Sequence, residues 1–207
     1  MAQVLKDESR ISILNAAKEE FLEKGYKNAS MRSIAKKANM TVGNLYRYYK
    51  NKEDINLSIV GPTYREISAA LKELINDSLL MEPRVYDVKP EINKLIERLD
   101  IFSRKLINIY SKKQTEFNIL ILHSRINEEI IKYFSDLISS IISVNFVMQG
   151  INYERDVLAN AYAESLYGGI QYIFKECKDS KILDKVLKEY LHSFIFMLNN
   201  DIGKFVE

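Results

Sequence analysis

One cysteine, three prolines, seven glycines, two histidines and no tryptophan in 207 residues remove several classes of protein at once. A lone cysteine, Cys177, excludes an intramolecular disulfide framework. So little glycine and proline argues against a loop-rich β fold, and no glycine-rich phosphate loop is present. The two histidines, His123 and His192, are too few and too widely separated to form a recognisable metal site with Cys177, so neither a metal nor a cofactor is expected. His123 adjoins Ser124, but adjacent helical residues point in different directions and make a poor base and nucleophile. An enzyme is therefore not expected. No apolar run is long enough to span a bilayer, and even IISVNFVM is interrupted by Asn145. The polar opening AQVLKDESR lacks the apolar stretch of a secretory leader, which makes the cytoplasm the expected location.

What is present is a folded, helix-rich chain. Hydrophobic residues make up 47% and charged residues 28%, a globular balance. The net charge of +2 hides an asymmetry. Residues 1–53 hold 11 Lys/Arg against 6 Asp/Glu, a surplus of five; residues 54–207 hold 19 against 22, a deficit of three. A basic head on a mildly acidic body points to a polyanion as the partner of the head. The expected division is a DNA-binding domain over 1–53 and a larger helical domain over 54–207.

The apolar spacing predicts an all-α fold of about nine helices. The first is expected to begin near Asp7 or Ser9, to bury Ile13, Leu14, Ala17 and Phe21, and to end at Gly25. Ser30, Thr41 and Asn51 stand where helix N-caps are wanted, and Asn39 stands at a turn that favours positive φ. A fourth helix from Lys52 to about Leu80 contains Gly61-Pro62, where a kink or break is expected. Residues 81–89 read as a loop. Five amphipathic segments follow, over 90–112, 114–123, 126–147, 154–177 and 180–201, with Gly150 in a break.

The stretch SMRSIAKKANMTVGNLYRYYKNK, residues 30–52, carries positive charge throughout and no acidic residue. Short helix, tight turn, short helix on a basic background is how a helix is presented to the DNA major groove. Thr41 suits a cap and a phosphate, Val42 suits apolar contact with a thymine methyl, and Gly43 permits close backbone approach. Asn44 can pair bidentately with adenine and Arg32 with guanine. Tyr46 and Lys52 suit phosphates. Leu45 and Tyr49 read as core, and Lys36 and Lys37 as a solvated face.

These residues resemble the DNA-binding domain of the TetR family of bacterial transcriptional regulators. The matching features are AAKEEF, Gly25-Tyr26, Ser30, Ile34-Ala35, Ala38, Gly43, Leu45-Tyr46, Tyr48-Tyr49 and Lys52-Glu53-Asp54. Asn39 stands where the family usually has glycine, and Tyr49 where it usually has phenylalanine. The resemblance implies phosphate contacts at Ser30, Tyr46 and Lys52 and base contacts near Arg32, Asn44 and Tyr48. It also implies a homodimer on a palindromic operator, and a repressor that a small-molecule effector releases.

A small major-groove reader needs a second copy, and the last two helices offer one surface for it. Ala161, Ser165, Gly168 and Gly169 form a small-residue strip beside Tyr172, and Val186, Tyr190, Phe194 and Met197 lie on the following helix. An effector cavity would be lined by Phe102, Leu106, Tyr110, Phe117, Leu120 and His123 and closed by Tyr133, Tyr162 and Tyr167. Such a lining suits a flat, hydrophobic or cationic ligand. The alternative is a DNA-binding protein of the same fold that answers to a protein partner or organises DNA without an effector.

Overall fold

The computed structural model describes residues 2–78, 89–123, 127–146 and 152–201. Among them are nine helices and no strand: α1 (Ala2–Asn28), α2 (Met31–Lys37), α3 (Val42–Tyr46), α4 (Lys52–Ser78), α5 (Lys89–Lys112), α6 (Gln114–His123), α7 (Asn127–Phe146), α8 (Asn152–Glu176) and α9 (Ser180–Asp201). Of the loop expected at 81–89, residues 81–88 lie outside the described residues, as does the break at Gly150, whereas Lys89 already belongs to α5.

The chain divides into two compact units, residues 1–66 with 112–125, and residues 67–111 with 126–207. In the first, α1 packs on α2 and α6. Ile13, Ala17 and Phe21 of α1, Ile34 and Ala35 of α2, Leu45 of α3, Ile55 of α4 and Phe117, Ile119 and Leu120 of α6 are buried. Fully burying one such side chain contributes about 1.5–3 kcal/mol, so this core carries helices too short to stand alone. The Lys18 ammonium meets the Glu116 carboxylate at 2.5 Å and ties α1 to α6.

In the second unit α7 and α8 pack together most extensively, with α9 against both. Phe102, Phe134, Leu137, Ile138, Ala159, Ala163, Tyr167, Phe174, Leu187 and Leu191 form its core. His192 of α9 meets Asp100 of α5 at 2.8 Å, and the Ser135 hydroxyl reaches Asn160 at 2.7 Å. Tyr190 of α9 lies over Gly169 of α8, where an added Cβ would come within 2.1 Å of its phenol oxygen, and donates its hydroxyl to Ser165 O at 3.0 Å.

Helix boundaries differ from expectation. Helix α1 begins at Ala2, a full turn or more ahead of Asp7. Helix α4 runs through Gly61-Pro62 without a break. Proline forfeits one backbone bond there, but Ile59, Val60, Thr63 and Ile67 on either side are buried, and that packing outweighs the loss. At Gly25, the expected end of the first helix, α1 is kinked and continues to Asn28; the φ of 72° suits a residue without a Cβ.

Candidate DNA interface

The interface is built from caps and one turn. Ser30 is extended, with φ −137° and ψ 153°, and its hydroxyl accepts the Ser33 amide at 3.1 Å while the Ser33 hydroxyl accepts the Ser30 amide at 3.1 Å. This reciprocal box fixes the start of α2. Asn39 makes the turn with φ 54°, and Met40 N donates to Ala35 O at 3.0 Å. Thr41 then caps α3, its hydroxyl accepting the Asn44 amide at 3.2 Å. Asn51 caps α4 by accepting the Asp54 amide at 2.8 Å. Leu45 and Tyr49 point inward, and burial pushes the Tyr49 phenol up from its ordinary value.

With those two residues and Ile34, Ala35 and Ala38 rooted inward, the remaining positions of the helix pair face out wholly or in part. Ser30, Arg32, Thr41, Gly43 and Tyr46 are exposed, and Val42, Asn44 and Tyr48 are half-buried. A Cβ added at Gly43 would meet nothing within 4 Å. An open groove of about 850 Å³ is lined by Lys24, Ser30, Arg32, Ser33, Lys36, Asn39, Met40, Thr41 and Val42. No carboxylate lines it. Among the described residues Arg32 and Lys36 have no ion-pair partner, so their charge is available to a polyanion.

Sequence reasoning missed part of this groove. Lys24 belongs to α1, outside the motif, one residue before the kink at Gly25, and lines the groove together with Ser30. Lys36, read as a solvated face, lines the groove, whereas Lys37 is drawn to Glu23 at 2.6 Å. Lys52 departs most from its expected role. Its ammonium donates to Tyr26 O at 2.5 Å, Ala29 O at 2.8 Å and Lys27 O at 3.3 Å, and lies 4.4 Å from the Tyr26 ring centroid. Three donors meet three carbonyls at the end of α1, so the ammonium clasps α1 to α4.

Residues 13–59 match the family described as bacterial regulatory proteins, tetR family. The family match covers this N-terminal segment, which is similar to the TetR DNA-binding domain. It is similar to the uncharacterized HTH-type transcriptional regulator YhgD of Bacillus subtilis strain 168, 34% identical over 74 residues, 36% of this chain and 39% of that protein. A second relative from the same strain, the fatty acid metabolism regulator protein, is 43% identical over 49 residues, 24% of this chain and 25% of its own. The chain thus spans well under half the length of these curated relatives in alignment. A TetR-family transcriptional regulator from Bordetella parapertussis 12822 shares the fold with a TM-score of 0.52 at 16% identity, over 89% of this chain and 93% of that one. NalD, the secondary repressor of the MexAB-OprM multidrug efflux pump in Pseudomonas aeruginosa, does so with a TM-score of 0.51 at 18% identity, over 92% and 95%. TetR-family proteins are transcriptional regulators, which are generally not enzymes.

The other sequence-predicted sets are only partly brought together. Of the effector candidates, Phe117, Leu120 and His123 sit on α6 in the first unit, whereas Phe102, Leu106, Tyr110, Tyr133, Tyr162 and Tyr167 sit in the second. Phe102 stacks edge-on with Phe134 at 6.2 Å, and Tyr110 lies 5.1 Å from Phe174. Tyr167 is buried, and desolvation pushes its phenol far up. Of the dimer candidates, Gly169, Tyr190 and Phe194 are engaged within the chain, since Tyr190 fills the space at Gly169 and Phe194 packs on Tyr162 at 6.1 Å. Ala161, Ser165, Gly168, Tyr172 and Met197 are exposed, and Val186 is half-buried.

Proposed function

We propose that this protein is a homodimeric DNA-binding regulator of TetR type that represses from a palindromic operator and is released by a small-molecule effector. The observation that carries the reading is the groove at α2 and the start of α3, lined by no carboxylate, with Arg32 and Tyr46 exposed and Asn44 half-buried, residue types suited to base edges and phosphates. A helix pair of this size reads one half-site, so two heads are needed about 34–36 Å apart or at multiples of that spacing. Dimerisation is supported by two exposed stripes in the second unit. Val157, Ala161, Ser165, Gly168 and Tyr172 follow one another down one face of α8, and Ile182, Val186, Glu189, Ser193 and Phe196 down one face of α9. Small residues between large apolar ones let a second copy approach closely, in a four-helix arrangement about a twofold axis.

No helix of the described residues is long and apolar enough to cross a membrane, which fits work at the nucleoid in the cytoplasm. The effector is a hydrophobic or aromatic molecule taken up among the aromatic side chains of the second unit, and the protein performs no catalysis. A second reading, regulation by a protein partner without a small molecule, is favoured by the commitment of Phe102 and Tyr110 to ring contacts with Phe134 and Phe174.

Selection of bound duplexes from a random pool tests the main claim. A single palindromic site is the expected product. Binding without a consensus, vanishing as salt rises, would leave only a basic surface and refute the regulator.

A further inference from the structure

The basic groove has a cation that the helix-turn-helix motif does not contain, and the chain holds it in place with a buried charge. Glu20 of α1 is fully buried. A carboxylate removed from water is costly unless cations stay beside it. Its Oε1 receives the Lys24 ammonium at 2.8 Å, and its Oε2 lies 3.5 Å from the Lys37 ammonium. Burial alone would raise its pKa, but the Lys24, Ser33 and Lys37 side chains outweigh burial and hold it below the ordinary carboxylate value.

The two lysines at this carboxylate have different fates. Lys37 is turned to Glu23 at 2.6 Å, so a second carboxylate neutralises it. Lys24 gives one donor to Glu20 and has two left, its side chain is half exposed, and it lines the groove beside Ser30, Arg32 and Lys36. Lys52, the motif's own lysine, has spent three donors on carbonyl oxygens.

We propose that Lys24 is a DNA-backbone contact of this head and that Glu20 is the positioning residue that aims it. A flexible lysine held at one donor by a buried acceptor loses less rotamer freedom on meeting phosphate than an untethered one. Such a contact adds affinity and salt dependence without reading sequence. The inference rests on the DNA-binding reading above.

The test measures affinity for the selected operator over a series of salt concentrations. Lys24→Gln should make the slope of log K against log salt shallower by about 0.9 per head, with affinity roughly fivefold lower per head near 0.15 M salt and base preferences unchanged. Lys24→Arg should keep the parental slope. Glu20→Gln should weaken binding in the parent and add nothing in the Lys24→Gln background, the signature of two residues acting as one. An unchanged slope in Lys24→Gln overturns the contact. Equal losses from Glu20→Gln in both backgrounds overturn the aiming role. If Glu20→Gln loses its cooperative melt, Glu20→Asp, which keeps the charge but retracts it by one methylene, takes its place in the cycle. Failure of the parent to select any operator would refute the DNA-binding reading itself, before a variant is made.

Discussion

Gly43 is the position where fold and function ask for different residues. An added methyl meets nothing within 4 Å, and alanine is the better helix former by up to about 1 kcal/mol. Gly43→Ala should therefore melt no lower than the parent, yet bind operator more weakly because the methyl occupies the space the backbone of α3 needs against the duplex. Equal affinity would place Gly43 outside the interface. Asn44→Ala should cost about 1–3 kcal/mol at one base position and relax preference there, as read by selection on single-position operator variants. Lys52→Met should lower stability by about 1.5–3 kcal/mol, since charge-assisted bonds to Tyr26, Lys27 and Ala29 are lost, while the salt slope stays put. A slope shallower by about one would restore the phosphate role that the sequence suggested.

At the level of elements, the caps were legible because capping is local. Ser30, Thr41 and Asn51 meet amides three residues away, and Asn39 needs only its own φ. What stayed hidden depends on residues distant in sequence. Lys52 reaches back 26 residues to Tyr26, and Lys24 lines the groove from a different helix, just before the kink at Gly25. Pro62 looked like a break because its neighbours' burial is a tertiary fact. The Gly168-Gly169 pair looked like one feature and is two. Gly169→Ala should force the Tyr190 ring off α8 and destabilise by about 1–3 kcal/mol, whereas Gly168→Ala, meeting nothing within 4 Å, should melt at or above the parent. If Gly168 lies in the dimer seam, the same substitution should weaken association, visible by sedimentation at low concentration.

For the whole molecule, the charge distribution predicts an acid limit to stability. Glu20 and Glu116 both have carboxyls held below the ordinary value of 4.5. For Glu116, burial pushes upward, and Lys18, the residue's own backbone amide and Lys113 together outweigh it. A carboxyl with a lowered folded-state pKa contributes its full stability above the unfolded value and loses it as pH falls through the folded one. Stability of the first unit should therefore be level above about pH 5 and decline below pH 4.5 as these two groups are forced to protonate. Glu116→Gln should be less stable at neutral pH and should flatten that decline, as measured by denaturant midpoints at stepped pH. An unchanged decline would assign it to other carboxylates.

Helix α3 has five residues, and within it only Leu45 is buried. One position roots the helix, and the others are left to whatever the duplex requires. Operator preference can thus drift across a lineage, or be rewritten by randomising Val42, Asn44 and Tyr46 together, with little loss of folded protein. A duplicated copy of this gene would be free to acquire new targets before it acquired a new signal.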